Sequence, residues 1–317
     1  MARVRFVELV LMSLVAAHGF AQADREGEEH TARLDITHGK PYVMVTIDGH
    51  GPFRFVIDTG TGGEAFITPQ LVEQLGLPQT GHKRLSDPSG KGSQTVPTVT
   101  IPSLQLAGVT FGDVKAVVHD LSDADGPCEG LLGFPLFRDY LLTLDYPNHR
   151  MKLEPGGLTA DGAQSVLPFR MPDGIPVVSM AVGETHFEAL IDSGGTGLSV
   201  PETLAAKLKF QAAPVAFSNS HSIATRFLVR AGTLSADVHL GSYTFERPFV
   251  EVNPAFPIAN FGSCPMQSFA ITFDQRNGLV RFEGRRQVVR LSASPAPMRL
   301  TNSVRDKLPD PMLVPAG

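Results

Sequence analysis

Two aspartates stand at matching places in this sequence, each closing an apolar run and each followed by a hydroxyl residue and a glycine. The runs are Phe53-Arg54-Phe55-Val56-Ile57-Asp58-Thr59-Gly60 and Phe187-Glu188-Ala189-Leu190-Ile191-Asp192-Ser193-Gly194. Apolar stretches of this length that end abruptly at turn residues read as buried strands. An aspartate at the end of a buried strand is costly unless its carboxyl is hydrogen-bonded or shares a proton. If the two segments pack about a pseudo-two-fold axis, Asp58 and Asp192 meet, and two carboxyls about 3 Å apart hold one proton between them. One can then act as base while the other acts as acid.

The elements around these residues repeat as well. After the first turn, Thr68 is placed to cap a helix, Pro69 suits its first position, Leu71, Val72 and Leu75 make one apolar face, and Gly76 ends it. After the second turn Pro201 opens the same pattern with Leu204, Ala205 and Leu208. Further on, Leu131-Leu132-Gly133-Phe134-Pro135 corresponds to Asn260-Phe261-Gly262-Ser263-Cys264, and Leu141-Leu142-Thr143-Leu144-Asp145 to Ala270-Ile271-Thr272-Phe273-Asp274. Final strands follow at Met151-Lys152-Leu153 and Leu279-Val280-Arg281-Phe282, the second after Asn277-Gly278, a hairpin-turn dipeptide. The chain thus reads as two copies of one β-rich unit, residues 36–154 and 170–284, joined by a linker over 155–169 around Pro155-Gly156-Gly157. Within each copy, short β-like runs flank a polar tip, at 87–92 in one and Ser218-Asn219-Ser220-His221 in the other, which predicts hairpins able to project over a cleft.

Composition removes several other functions. Lys and Arg number 27 against 32 Asp and Glu, a net charge of −5, so no basic field is present to hold nucleic acid. The stretch Gly60-Thr61-Gly62-Gly63-Glu64-Ala65 fits a dinucleotide fingerprint, but its repeat counterpart Gly194-Gly195-Thr196-Gly197-Leu198-Ser199 does not keep the spacing and no series of βαβ crossovers surrounds it. The ten histidines fall in no zinc-binding pattern, and no Gly-x-Ser-x-Gly elbow occurs. No cofactor and no metal are expected.

The ends of the chain read differently from its middle. Arg3 and Arg5 precede an apolar stretch from Leu9 to Ala17, and Ala21-Gln22-Ala23 has the form of a signal-peptidase site, so 1–23 is expected to be a removed secretory signal, with an uncleaved N-terminal anchor as the alternative. The mature protein is then expected to be secreted or periplasmic, with no stable membrane span. Residues 285–317 carry scattered prolines with little periodicity and read as an extended or disordered tail. Cys128 and Cys264, one per unit, are compatible with a disulfide clamp and equally with two buried thiols.

The pair Asp58-Thr59-Gly60 and Asp192-Ser193-Gly194, each followed roughly 70 residues later by an element ending in glycine, resembles the aspartic proteases, most closely their bacterial retropepsin-like members, over nearly all of 36–284. The resemblance implies an all-β, two-lobed fold in which each lobe is a closed β-barrel related to the other by a pseudo-two-fold axis. Proton sharing by two aspartates is the known behaviour of that family. It further implies Asp58 and Asp192 as the catalytic pair, Thr59 and Ser193 as hydrogen-bonded ties between the loops, and Gly60 and Gly194 as points of close backbone approach. Leu132 with Gly133 and Phe261 with Gly262 match the downstream elements, although Asn260 opens the second with a polar residue. Thr61 is placed to donate to Asp58, whereas Gly195 offers Asp192 no side chain, so the two carboxyls are expected to be electrically unequal. The four tyrosines, 42, 140, 146 and 243, all lie outside the first hairpin, where pepsin-like enzymes carry one. The expected function is an aspartic endopeptidase, monomeric, acting on peptides or unfolded proteins. The alternative is a catalytically silent peptide-binding protein with the same cleft.

Overall fold

The apolar runs that lead into the two aspartates form strands, His50–Asp58 and Thr185–Asp192. Each is the second arm of a hairpin, with Tyr42–Ile47 and Val177–Val182 as the respective first arms. A computed structural model describes residues 30–86, 92–121, 126–221 and 226–291. The expected signal at 1–23, most of the first hairpin's polar tip (87–91) and the tail from 292 lie outside the described residues.

In the first lobe, six strands close on themselves. The order is Tyr42–Ile47, His50–Asp58, Gly130–Gly133, Ala65–Ile67, Val109–Val118 and Ser93–Leu106, and the last pairs back to the first through Thr46↔Gln105 and Ile47↔Leu104. The strand Gln79–Ser86 extends from this barrel as a hairpin with the first half of the 14-residue strand Ser93–Leu106. The second lobe repeats the order with Val177–Val182, Thr185–Asp192, Ala259–Gly262, Leu198–Pro201, Phe249–Asn253 and Arg226–Thr233. There the counterpart of the long strand is broken between Thr233 and Val238, and its neighbour between Phe245 and Phe249, where Pro248 has no N–H to donate. The result is a ten-stranded half-barrel pinned to Val177–Val182 through Ala181↔His239, in place of the second fully closed barrel that was expected.

A third sheet joins the lobes. Its order reads the same from either end: His30–Arg33, Arg150–Glu154 and Leu141–Asp145 from the first lobe, then Phe269–Asp274, Leu279–Gly284 and Val166–Pro168. The two central strands pair antiparallel with Thr143 opposite Thr272, which are repeat equivalents, so the pseudo-two-fold axis passes between them. Their hydroxyls are buried and 2.9 Å apart. The segment expected as a linker, 155–169, therefore contains a strand of this sheet. One hydrophobic core runs through both lobes, with Phe134 packed edge-on to Phe273 at 5.2 Å between ring centres.

Local signals are realised with two shifts. The helix Pro69–Leu75 has Thr68 as its cap, accepting from the Leu71 N–H at 3.3 Å, and ends at Gly76 in the left-handed conformation. Its counterpart is a single turn, Glu202–Ala205, in which Pro201 ends the preceding strand and occupies the cap instead of the first helical position. Asn277-Gly278 closes a four-residue loop between Asp274 and Leu279, because the Asp274 carboxylate accepts from the backbone N–H and side-chain amide of Asn277 at 3.1 and 2.7 Å. Asp145 and Asn148 make the same arrangement in the first lobe. In the second lobe's hairpin, Ser218 to His221 belongs to the strand Val215–His221 and not to the tip.

Candidate active site

Asp58 and Asp192 are the last residues of equivalent strands, and each strand is held in place by the glycine-ended element of its own lobe. The parallel register sets Leu132 beside Ile57 and Gly133 beside Asp58, and in the other lobe Phe261 beside Ile191 and Gly262 beside Asp192. Leu132 and Phe261 are fully buried and anchor the strand ends to the core. Gly133 and Gly262 are required by proximity: a β-carbon would lie 1.9 Å from the Gly63 carbonyl oxygen in one case and 2.5 Å from that of Gly197 in the other. Bulkier residues there would push away the loops that follow the aspartates.

Thr59 and Ser193 tie the two loops together reciprocally. The Thr59 N–H donates to Ser193 Oγ at 3.0 Å and the Ser193 N–H to Thr59 Oγ1 at 2.9 Å. The hydroxyls then donate onward into the opposite lobe, Thr59 to the Ile191 carbonyl and Ser193 to that of Ile57, both at 2.6 Å. Both side chains are fully buried, so each satisfies a backbone group that water cannot reach. This places Gly60 under the Asp192 carboxyl and Gly194 under that of Asp58. A β-carbon on either would fall 2.4 Å from the facing carboxyl.

The two carboxyls consequently meet within hydrogen-bonding reach of one another. Burial, followed by the charge of Asp192, pushes the Asp58 carboxyl up from the ordinary aspartate range to about 7. The pair therefore retains a proton under conditions where a solvated aspartate would lose it.

Their remaining partners differ, as Thr61 and Gly195 predict, but the outcome includes a residue that the aspartate loops do not contain. Asp58 accepts from the Gly60 N–H and from Thr61 Oγ1, both at 2.9 Å. Asp192 accepts from the Gly194 and Gly195 N–H groups at 3.0 and 2.9 Å and from Asn260 Nδ2 at 2.5 Å. The missing side chain of Gly195 makes room for this: a β-carbon there would stand 2.9 Å from Asn260 Nδ2. Asp58 thus has two donors and Asp192 three, and donors favour the charged form.

The only sign of Asn260 in the sequence is its polarity at the position where the first lobe has Leu131. Tyr146, fully buried after the strand Leu141–Asp145, is a second residue not singled out for the site. Its hydroxyl accepts from Ser263 Oγ at 3.4 Å, and burial, with the Asp192 charge adding to it, raises its pKa. The Cys128–Cys264 clamp is not formed: both are free thiols, Cys128 half-buried and Cys264 exposed. Cys128 leads into the strand that flanks Asp58, whereas Cys264 sits in the turn of helix after Gly262 with its sulfur against Gly39. Among the described residues no group of three or more His, Cys, Asp or Glu could hold a metal ion.

An aspartyl protease family model matches residues 43–136. The matched stretch contains Asp58, Thr59, Gly60, Thr61, Leu132 and Gly133, and it supports an aspartic protease and, in general terms, a protein-cleaving hydrolase. It covers the first lobe, and the second lobe's equivalence rests on the shared strand registers and hydrogen bonds described above. No curated protein matches the chain.

Proposed function

We propose that this protein is a two-lobed aspartic endopeptidase in which Asp58 and Asp192 activate a water molecule between them. The observation that carries this reading is the reciprocal Thr59–Ser193 tie, which brings two aspartates from different lobes into one shared-proton pair. Asp192, the carboxyl with three donors, acts as the base, and Asp58, whose proton is retained, as the acid. Asp192 takes a proton from water as its oxygen attacks the peptide carbonyl carbon, and Asp58 delivers its proton to the carbonyl oxygen. The tetrahedral diol collapses as Asp192 passes the proton it took to the amide nitrogen, the C–N bond breaks and Asp58 recovers a proton from a diol hydroxyl, leaving an acid and an amine and restoring the pair. The fixed donors around both carboxyls need no reorientation as charge moves, the condition for electrostatic stabilisation of the transition state.

Both aspartates come from one chain, which supports action as a monomer. No helix among the described residues is long and apolar enough to cross a membrane. The expected signal at 1–23 supports work outside the cytosol, on extended peptides or unfolded proteins.

The test is incubation of the 24–317 chain with an unfolded protein from acid to neutral pH, beside Asp58→Asn and Asp192→Asn. Fragments from the wild type alone establish the pair. Peptide binding without fragments, unchanged by either substitution, would replace the enzyme with a binding protein.

A further inference from the structure

The face of the second lobe next to Asp192 differs in kind from its counterpart in the first. In the first lobe, Phe66 lies in register with Leu131 on one side and Val117 on the other, so these three side chains form a row across three adjacent strands. The row is apolar, and Phe66 and Val117 pack with Leu85 and Val96 of the hairpin in a small cluster of their own, apart from the main core. In the second lobe, Ser199 lies in register with Asn260 and Glu251. The neighbours Leu198, Val200, Val250, Val252 and Phe261 belong to the core, so Ser199, Asn260 and Glu251 share the opposite face. Strand spacing of about 4.8 Å makes this row about 10 Å long, with Ser199 in the middle, and Asn260 at one end donates to the Asp192 carboxyl.

Each polar group in the row has unused capacity. Asn260 Oδ1 is buried and accepts no hydrogen bond, while Nδ2 of the same amide serves Asp192. Glu251 forms no hydrogen bond or ion pair with the described residues, and burial alone raises its carboxyl pKa. Its carboxyl lies against Gly197, where a β-carbon would come within 2.3 Å of Oε1. Gly195 and Gly197 thus open the loop after Asp192 at the two points where Asn260 and Glu251 approach it. A half-buried carboxylate beside two acceptors, with no cation supplied by the described residues, is matched by a donor-rich cation from outside.

Resting on the endopeptidase reading, we propose that the second-lobe row is a specificity subsite for a lysine or arginine side chain next to the scissile bond, with Glu251 supplying charge and Ser199 and Asn260 acceptors. The first-lobe row takes an apolar side chain on the other side of that bond. The preferred substrate is then a peptide cut between an apolar and a basic residue.

Peptides differing only in lysine, arginine or norleucine at the flanking position test this. The wild type is expected to cleave the basic peptides with kcat/KM about tenfold above the norleucine one, the scale of one desolvated charge contact. That ratio should fall toward unity in Glu251→Gln, and in the wild type as salt is raised. The salt series does not depend on the variant's folding. Equal kcat/KM for basic and norleucine peptides, or a preference that survives both Glu251→Gln and high salt, would overturn the subsite. A parallel binding measurement with Asp58→Asn separates the two proposals. No cleavage by the wild type alongside tighter binding of lysine peptides removes the enzyme and keeps the subsite, whereas binding that ignores the basic residue removes the subsite.

Discussion

Asn260 donates to Asp192 at 2.5 Å from a strand 68 residues further along the chain, performing for the second aspartate the service that Thr61 performs for the first from three residues away. The two lobes thus solve one electrostatic problem by different routes, a local hydroxyl and a distant amide. Replacing Asn260 by leucine, the residue at the equivalent position of the first lobe, removes a donor from the carboxylate that acts as base. With one donor fewer, the carboxyl pair holds its single negative charge less well, so the acid limb of the kcat/KM profile should move to higher pH, with maximal kcat reduced about tenfold or more. A pH–rate profile that superimposes on the wild type would remove Asn260 from the site.

Asp58 gives the fold a pH dependence opposite in sign to that of an ordinary ion-paired aspartate. Its pKa is about 7 when folded, against an ordinary value of 3.8, so between those values the folded state binds more protons than the unfolded. Stability contributed by this group is fully present below the unfolded value and is lost as pH rises through the folded one. Asp58→Asn removes the titration. Equilibrium urea unfolding should show the wild type losing stability, on the order of a few kcal/mol, between mildly acid and neutral pH, and the variant losing less. Parallel profiles for the two proteins would contradict the shared proton.

The grip between the loops should behave as one unit. Thr59→Ala leaves the Ser193 N–H without its acceptor and the Ile191 carbonyl without its donor, both in a buried setting. Each orphaned group costs roughly 1–3 kcal/mol. Ser193→Ala should cost a similar amount, and the double variant clearly less than the two single costs added. Chemical denaturation of the four proteins checks this. Thr59→Ser keeps the hydroxyl and is expected to stay near wild type.

Much of this arrangement is visible in the sequence because it is carried by short, repeated segments. Asp58-Thr59-Gly60 and Asp192-Ser193-Gly194 each contain carboxyl, tie and close-approach glycine within three residues, and duplication makes them stand out. Thr68, Pro69 and Gly76 mark their helix because capping is local. What depends on register between distant strands is not legible. Asn260 appears only as a polar intrusion in an apolar element, and nothing in the chain places Glu251 beside Ser199 until the strands Phe249–Asn253 and Leu198–Pro201 pair. The open second barrel follows from strand breaks that include Pro248, and the sequence periodicity there does not distinguish a broken strand from two strands. Cys128 and Cys264 illustrate the converse: one cysteine in each lobe does not make a clamp, because Cys128 precedes the glycine element of its lobe while Cys264 follows that of the other, so the two-fold relation does not set the two sulfurs opposite one another.

The axis between the lobes offers a last test, at Thr143 and Thr272. Their hydroxyls meet at 2.9 Å in the centre of the sheet that both lobes share, and Thr272 Oγ1 has a second, longer contact from Arg281 at 3.4 Å. Valine keeps the shape of threonine and deletes the hydroxyl. Thr272→Val strands the Thr143 hydroxyl in a buried site and should cost roughly 1–3 kcal/mol. Thr143→Val leaves Thr272 its Arg281 contact and should cost less. With both replaced, no hydroxyl of this pair remains unpaired, so the double variant should be more stable than Thr272→Val alone, a coupling read from a double-mutant cycle in urea. Additive losses would mean that the hydroxyls do not depend on one another, and the interlobe sheet would then be held at its centre by backbone pairing and the flanking Leu142, Leu144, Ile271 and Phe273 alone.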